Sequence, residues 1–262
     1  MILIAIVHNN ELIRLNYLRP KMQKVLTLLT ENAIVMECCT SLEIAPTKLD
    51  FILRDLKMKM LRFRFDSFVQ QTLNSEFRHS KFKKISQIFR SSQTNRSRYF
   101  AELDLVVKHI EAWEHFLNSS ASHLVLLESD AIISDEKNLA EFLNNLCDIS
   151  SEDFVSLSWP FTTSQLGIRD SSIEHRPNYF QVGILITNTT AGYVLSRNLA
   201  AKLVKVIQES RLERLLAIDW LMNQVFMQIQ KQDGKNRNTI VPNRELVING
   251  SLVGRYESAI QG

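Results

Sequence analysis

Glu128 and Asp130 stand at i and i+2, just past the aliphatic run Leu124, Val125, Leu126, Leu127. In an extended chain such positions project to the same side, so both carboxylates can face one point. Two converging carboxylates repel one another unless a proton or a cation lies between them. Hard oxygen ligands suit Mg²⁺ or Mn²⁺, and those ions in turn suit phosphate. The competing reading is a solvated turn after a core strand. The run itself is too short for a helix and reads as a strand buried on both faces, with Ala131, Ile132 and Ile133 returning the chain to the core.

Other candidates follow from the elements around that strand. Ile2–Val7 reads as a first buried strand ending in the polar loop His8, Asn9, Asn10. In α/β sheets the strand ends carry ligands, so His8 and Asn9 are placed to touch a nucleotide; a polar surface loop is the alternative. Apolar spacing predicts a helix over 16–29 and a second strand over Ala33–Cys38. Residues 99–117 carry a continuous apolar stripe (Leu103, Val106, Val107, Ile110, Trp113, Phe116, Leu117) and read as a helix feeding the acidic strand. Glu102 and His109 are two turns apart on it, close to one face. His109 suits a phosphate or sugar hydroxyl, or else the edge of the core.

Composition bounds the function classes. The chain has 262 residues, 45% hydrophobic and 23% charged, with a formal net charge of +3, ordinary for one large globular domain. Cys38, Cys39 and Cys147 show no metal-ligand spacing and no even disulfide framework, so they read as core cysteines of a reducing compartment. The opening MILIAIV lacks a basic leader and reads as a strand rather than a signal peptide, and no window is apolar enough to span a bilayer. Residues 51–98 differ from their surroundings. Arginines and lysines such as Arg54, Lys57, Lys59, Arg62 and Arg64 greatly outnumber the acids, with Phe63, Phe65, Phe68, Phe77, Phe82 and Phe89 interleaved. Such a segment fits an anionic membrane surface or an anionic glycan; no nucleic-acid motif accompanies it, and a solvated helical pair with core phenylalanines is the plainer reading.

The helix Glu102, Leu103, His109, Ile110, Trp113, followed by LVLLESDAII, resembles the core of glycosyltransferase family 25, the group of lipooligosaccharide and collagen galactosyltransferases. There the helix reads G-E-x-(G/A)-C, then S-H, and the strand ends in E-D-D-A. This chain keeps Glu102, His109, Glu128 and Asp130, and departs at Lys108, where serine is usual, and at Ser129, where the middle aspartate is usual. Downstream, DFVSL at 153–157 and GILITNTTAGYVLSRNLAAKLV at 183–204 are similar to the family's next segments. On physical grounds the latter is a strand, a turn at NTTAG, then YVLS leading into a helix with Ser196 as N-cap. Asp219 resembles the aspartate that precedes the acceptor-side helix, and is read either as general base or as N-cap of that helix. The tail 241–260 resembles the closing element, with Ser251 and Ser258 near the expected serines and Arg255 placed to meet a diphosphate. The resemblance does not account for 51–98.

Together these readings predict an α/β fold of the nucleotide-diphospho-sugar transferase (GT-A-like) type: one domain over 1–262, a mainly parallel sheet flanked by helices, with a basic helical insertion at 51–98. The resemblance implies transfer of a hexose, galactose or glucose, from a UDP-sugar to a cell-surface glycan or lipid-linked acceptor, with Mn²⁺ or Mg²⁺. Asp130 and Glu128 are the expected metal ligands, and Asp219 and Glu128 the catalytic carboxylates. His8, Asn9, Glu102, His109 and Arg255 are expected on the donor. The expected setting is cytoplasmic, peripheral to the inner face of a membrane. A transferase fold without turnover that binds glycan or membrane is the alternative, and Lys108 in place of the metal charge is a third.

Overall fold

The computed structural model describes residues 1–41, 47–72, 96–150, 153–160, 162, 168, 170–187, 189–209, 215–233 and 237–255. Expectations for Phe77, Phe82, Phe89, residues 91–95 and Ser258 lie outside them. The strands are β1 (Ile2–Val7), β2 (Ala33–Cys38), β3 (His123–Glu128), β4 (Ala131–Ile133), β5 (Phe154–Ser156), β6 (Ile173–His175), β7 (Tyr179–Val182), β8 (Gly192–Ser196), β9 (Thr239–Pro242) and β10 (Val247–Asn249). The helices are α1 (Leu12–Leu28), α2 (Lys48–Thr72), α3 (Arg96–Asn118), α4 (Glu136–Asn144), α5 (Arg197–Glu209) and α6 (Ile218–Asp233).

Eight strands form one sheet in the order β2-β1-β3-β8-β5-β9-β7-β6, and β4 pairs with β10 in a separate antiparallel ribbon. The sheet is mixed: β8 and β7 run against the other six strands. Alternation along the central strands sorts side chains to two cores. Leu3, Ala5, Val7, Leu124 and Leu126 face Trp113, Phe116, Leu203 and Phe226 of the α3, α5 and α6 side. Ile2, Ile4, Ile6, Val125 and Leu127 face Leu18, Met22 and Leu139 of α1 and α4. The central strands therefore hold their loops in place from both sides.

The basic segment starts in α2, whose Leu61, Phe65 and Phe68 are buried; Phe65 meets Trp220 of α6 edge-on at 6.0 Å between centroids. The same helix leaves Ile52, Leu56 and Met60 more than half exposed, at four-residue spacing. Among the cysteines only Cys38 is a core residue; Cys39 and Cys147 are exposed, so the reading of all three as core thiols is corrected. Burial pushes the Cys38 thiol up to about 12.

The stretch around 183–187 also departs from expectation. Ile184, Leu185 and Ile186 are buried, yet they do not join a ladder as the apolar run predicts. Side chains satisfy their backbone instead. Gln230 Oε1 accepts from Leu185 N–H (3.0 Å), Thr239 Oγ1 from Ile186 N–H (2.8 Å) and Asn223 Oδ1 from Thr187 N–H (2.9 Å). YVLS is itself strand, the body of β8, and α5 follows with Leu199 N–H donating to Ser196 Oγ, as the N-cap reading requires.

Arg197 fixes how α3 delivers the chain into β3. Its guanidinium donates to the carbonyls of Leu117 (2.6 Å), Phe116 (3.2 Å), Ser119 (2.5 Å) and Ala121 (2.8 Å), which are the orphan acceptors of a helix end and its exit loop. Replacing Arg197 by Ala strands the carbonyls of Leu117, Ser119 and Ala121, Phe116 O keeping the Ser119 N–H and Oγ–H, and a loss of about 2–4 kcal/mol in chemical denaturation is expected. An unchanged midpoint would mean that water replaces the guanidinium without penalty.

Candidate active site

The parallel register sets Val7 beside Glu128, and Ser129 N–H donates to Val7 O at 2.8 Å. The loop after β1 and the acidic turn after β3 are thereby neighbours. Asn10 takes a left-handed φ of 61°, a conformation Asn tolerates better than most residues. That bend brings the Asn10 N–H to His8 Nδ1 at 3.0 Å. With Nδ1 accepting, the ring proton sits on Nε2, which faces Glu37 Oε2 at 3.2 Å. Arg19 grips the same carboxylate through two bonds of 2.7 Å and holds its pKa below the usual range. His8 is thus a buried, oriented strand-end residue, and Asn9 remains exposed at the surface.

Helix α3 supplies the second wall. Glu102 pairs with Arg54 of α2, whose guanidinium lies 4.5 Å from the centre of the Tyr99 ring, so the basic segment is tied to this helix at a buried ion pair. Lys108 is 1% exposed; its ammonium binds Asp104 one turn back and the Asn9 side-chain oxygen. His109 is wholly buried, stacked on Tyr193 and edge-on to Trp113. Trp113 Nε1 donates to the Tyr193 hydroxyl at 2.9 Å, leaving that hydroxyl free to donate to His109 Nδ1 at 2.8 Å. In this arrangement His109 Nε2 carries the proton and faces Glu128 Oε1 at 3.4 Å. Burial raises the Tyr193 pKa well above 10, so the phenol stays neutral and able to donate.

Glu128 is the electrostatic centre of the group. Burial first, and the Glu128 charge second, raise Asp130 to about 6, with a Ser251 hydrogen bond and Arg14 pulling the other way. Asp219, in the first turn of α6, is also raised, by burial and then by Glu128, against the Trp220 N–H that it accepts at 2.8 Å and against Arg54. It sits inside the helix rather than ahead of it. The turn after β10 closes over Asp130: Gly250 N–H donates to the Asp130 carbonyl at 2.9 Å. Arg255, at the end of that turn, stacks on Tyr17 of α1 at 4.6 Å.

Glu128 is therefore set beside Asp130, His109 and Asp219, whereas Asn9 is held by Lys108, Glu102 by Arg54 and Arg255 by Tyr17. Asp130 Oδ1 is buried without a hydrogen bond, and so is Glu128 Oε1, from which His109 Nε2 stands 3.4 Å away. A divalent cation fits that pair of oxygens. Among the described residues no group of three or more His, Cys, Asp or Glu forms a complete cage. Mg²⁺-type sites commonly use one or two carboxylates and take their remaining ligands from water and substrate phosphates, so the donor set present is of the right kind. The roles of Tyr193 and Lys108 were not apparent from local sequence: Tyr193 lies 84 residues from His109 and Lys108 lies 99 from Asn9.

The sequence model of glycosyltransferase family 25 (LPS biosynthesis protein) matches residues 37–222, well over half of the chain and including the basic segment 51–98. No curated protein matches. Among solved structures, mannose-1-phosphate geranyltransferase from Thermus thermophilus is similar at 14% identity and a TM-score of 0.31, over 52% of this chain and 49% of that one. The similarity thus spans about half the length of that protein. The matched family span holds α3, the acidic turn and Asp219 alike: the chain belongs to glycosyltransferase family 25.

Proposed function

We propose that this transferase moves a hexose from a nucleotide-diphosphate sugar, a UDP-sugar of galactose or glucose, to a glycan acceptor of the lipopolysaccharide type, with inversion at the anomeric carbon. The observation that carries the reading is the pair of buried oxygens on Glu128 and Asp130, at and just past the end of β3, that make no hydrogen bond. Asp130 and Glu128 would hold a Mn²⁺ or Mg²⁺ ion, which when bound offsets the negative charge that develops on the departing diphosphate. Asn9, fixed by Lys108, and His8 behind it shape the donor side from the β1 loop. His109 acts through Glu128, its proton held toward that carboxylate by the Tyr193–Trp113 relay. Glu102 steadies Arg54, and Arg255, stacked on Tyr17 in the turn after β10, is the side chain that would turn to the diphosphate. Asp219 is the base for the acceptor hydroxyl, its raised pKa making it a stronger base than an ordinary carboxylate.

Lys108 is a poor substitute for the metal, because Asp104 already matches its charge and it is sealed from solvent. Among the described residues no helix is long and apolar enough to cross a membrane. The exposed Ile52, Leu56 and Met60, with Lys59 and Arg64 on the same helix, support docking on an anionic membrane surface.

Calorimetric titration with UDP, GDP and CMP, each with Mn²⁺ and with chelator, tests the reading. UDP binding only with Mn²⁺ is expected. Absence of binding to every nucleotide would overturn it in favour of a recognition module.

A further inference from the structure

A cleft of about 270 Å³ lies away from the acidic turn, between α4 with its following turn, the loop before β7, and the chain that leads from β9 into β10. Its volume is at the lower edge of the roughly 300–1,000 Å³ typical of small-molecule sites, which suits a sugar unit better than a nucleotide. Phe142 and Tyr179 give it aromatic faces, Leu246 an apolar floor, and Asn178, Glu141 and Arg244 a polar rim. Sugar rings present this same combination in reverse: an apolar C–H face and a fringe of hydroxyls that both donate and accept.

The rim is held in shape by bonds that do not use up its binding groups. Asn243 Nδ2 donates to the Arg176 and Pro177 carbonyls at 2.9 and 3.0 Å, and its N–H to Asn178 O at 3.0 Å. Those bonds set the loop carrying Asn178 against the chain carrying Arg244. Arg244 Nη1 donates to Asn138 Oδ1 at 3.2 Å, which leaves the rest of its guanidinium to the cleft. Among the described residues the Asn178 amide and the Tyr179 hydroxyl make no hydrogen bond, though Tyr179 is anchored in the core below.

Position supplies the link to the transfer site. The ribbon of β4 and β10 has Asp130 and Asn249 at one end and Ser134 and Leu246 at the other, joined by Ser134 N–H donating to Leu246 O at 3.1 Å. Four extended residues from Asp130 to Ser134 cover at most about 14 Å. That is the reach of a short oligosaccharide. We propose that the cleft is a glycan-binding subsite that holds a sugar of the acceptor remote from the hydroxyl being glycosylated. The inference rests on the transferase reading for its purpose, but the binding itself needs neither nucleotide nor metal.

The test uses the full chain, in chelator, on an immobilised panel of oligosaccharides two to four sugars long. Wild type and Asp130→Asn are expected to retain the same members of the panel. Arg244→Ala and Asn178→Ala, both at exposed positions, are expected to weaken that retention roughly tenfold or more each, the scale of about 1.4 kcal/mol, with thermal midpoints unchanged. No retention by wild type, or retention indifferent to both substitutions, would overturn the subsite. Failure of the transferase reading is seen separately, in the nucleotide titration, and would leave the result on the panel standing.

Discussion

Asp130→Asn is expected to abolish Mn²⁺-dependent nucleotide binding and, in the metal-free protein, to raise stability above pH 6. The two effects have one cause. Burial and the neighbouring Glu128 charge lift the Asp130 pKa from 3.8 to about 6, which means that the fold disfavours the carboxylate form that a cation would require. A group whose pKa is higher in the folded state binds its proton more tightly there, so its contribution is fully present below about pH 3.8 and is lost as pH rises through about 6. The whole difference corresponds to about 3 kcal/mol. Asparagine keeps the shape and removes the charge, so the variant should match wild type near pH 4 and exceed it by about 3 kcal/mol at pH 7.5, where the whole difference is in force. Mn²⁺ should reverse the order by stabilising wild type alone. Urea denaturation at the two pH values, with chelator and with Mn²⁺, reads all of this. A variant no more stable than wild type at pH 7.5 would mean that Asp130 is relieved by groups other than a cation.

The parts of this site that were legible in the sequence are those whose cause is local. The strand 124–127 is legible because both faces of β3 are buried and leave an unbroken aliphatic run. The acidic pair is legible as two carboxylates at the end of a buried run, and the structure keeps Glu128 and Asp130 within each other's field, although Asp130 lies in the turn after β3 rather than in the extended chain that the i and i+2 argument assumes. The stripe of α3 is legible because Trp113 and Phe116 must face one core. What was not legible depends on partners far along the chain. The run 184–187 has the apolar content of a strand, but its hydrogen bonds go to Gln230, Asn223 and Thr239, and no property of the run itself reveals that. His109 looked equally suited to a core edge or to a ligand. It is both buried and pointed, because Tyr193 occupies its other nitrogen. Lys108 stood out as a departure from the family pattern; its function as the tie between α3 and Asn9 appears only once β1 and α3 are packed together. The exposed Cys39 and Cys147 show the limit of composition, since a thiol's burial is set by the face on which its element presents it.

Asp219→Asn should leave donor binding intact and lower kcat by about 10²–10⁴-fold, the usual contribution of a positioned general base. Binding is spared because Asp219 reaches the donor carboxylates through its field rather than through a shared ligand; Trp220 N–H, its hydrogen-bond partner, is a backbone group that asparagine also satisfies. The pH profile separates a base from a structural cap. Burial and Glu128 raise the Asp219 pKa, so in wild type kcat should fall on the acid side at a pH above the ordinary carboxylate range, as the base takes up its proton. With Mn²⁺ saturating, Asp130 is held as carboxylate and contributes little to that limb, so the acid limb belongs to Asp219. Removing Asp219 should flatten it, leaving a slow rate independent of pH. If Asp219→Asn instead raises KM and lowers the thermal midpoint while the acid limb keeps its shape, then Asp219 serves the first turn of α6, and the proton of the acceptor hydroxyl must leave by way of Glu128.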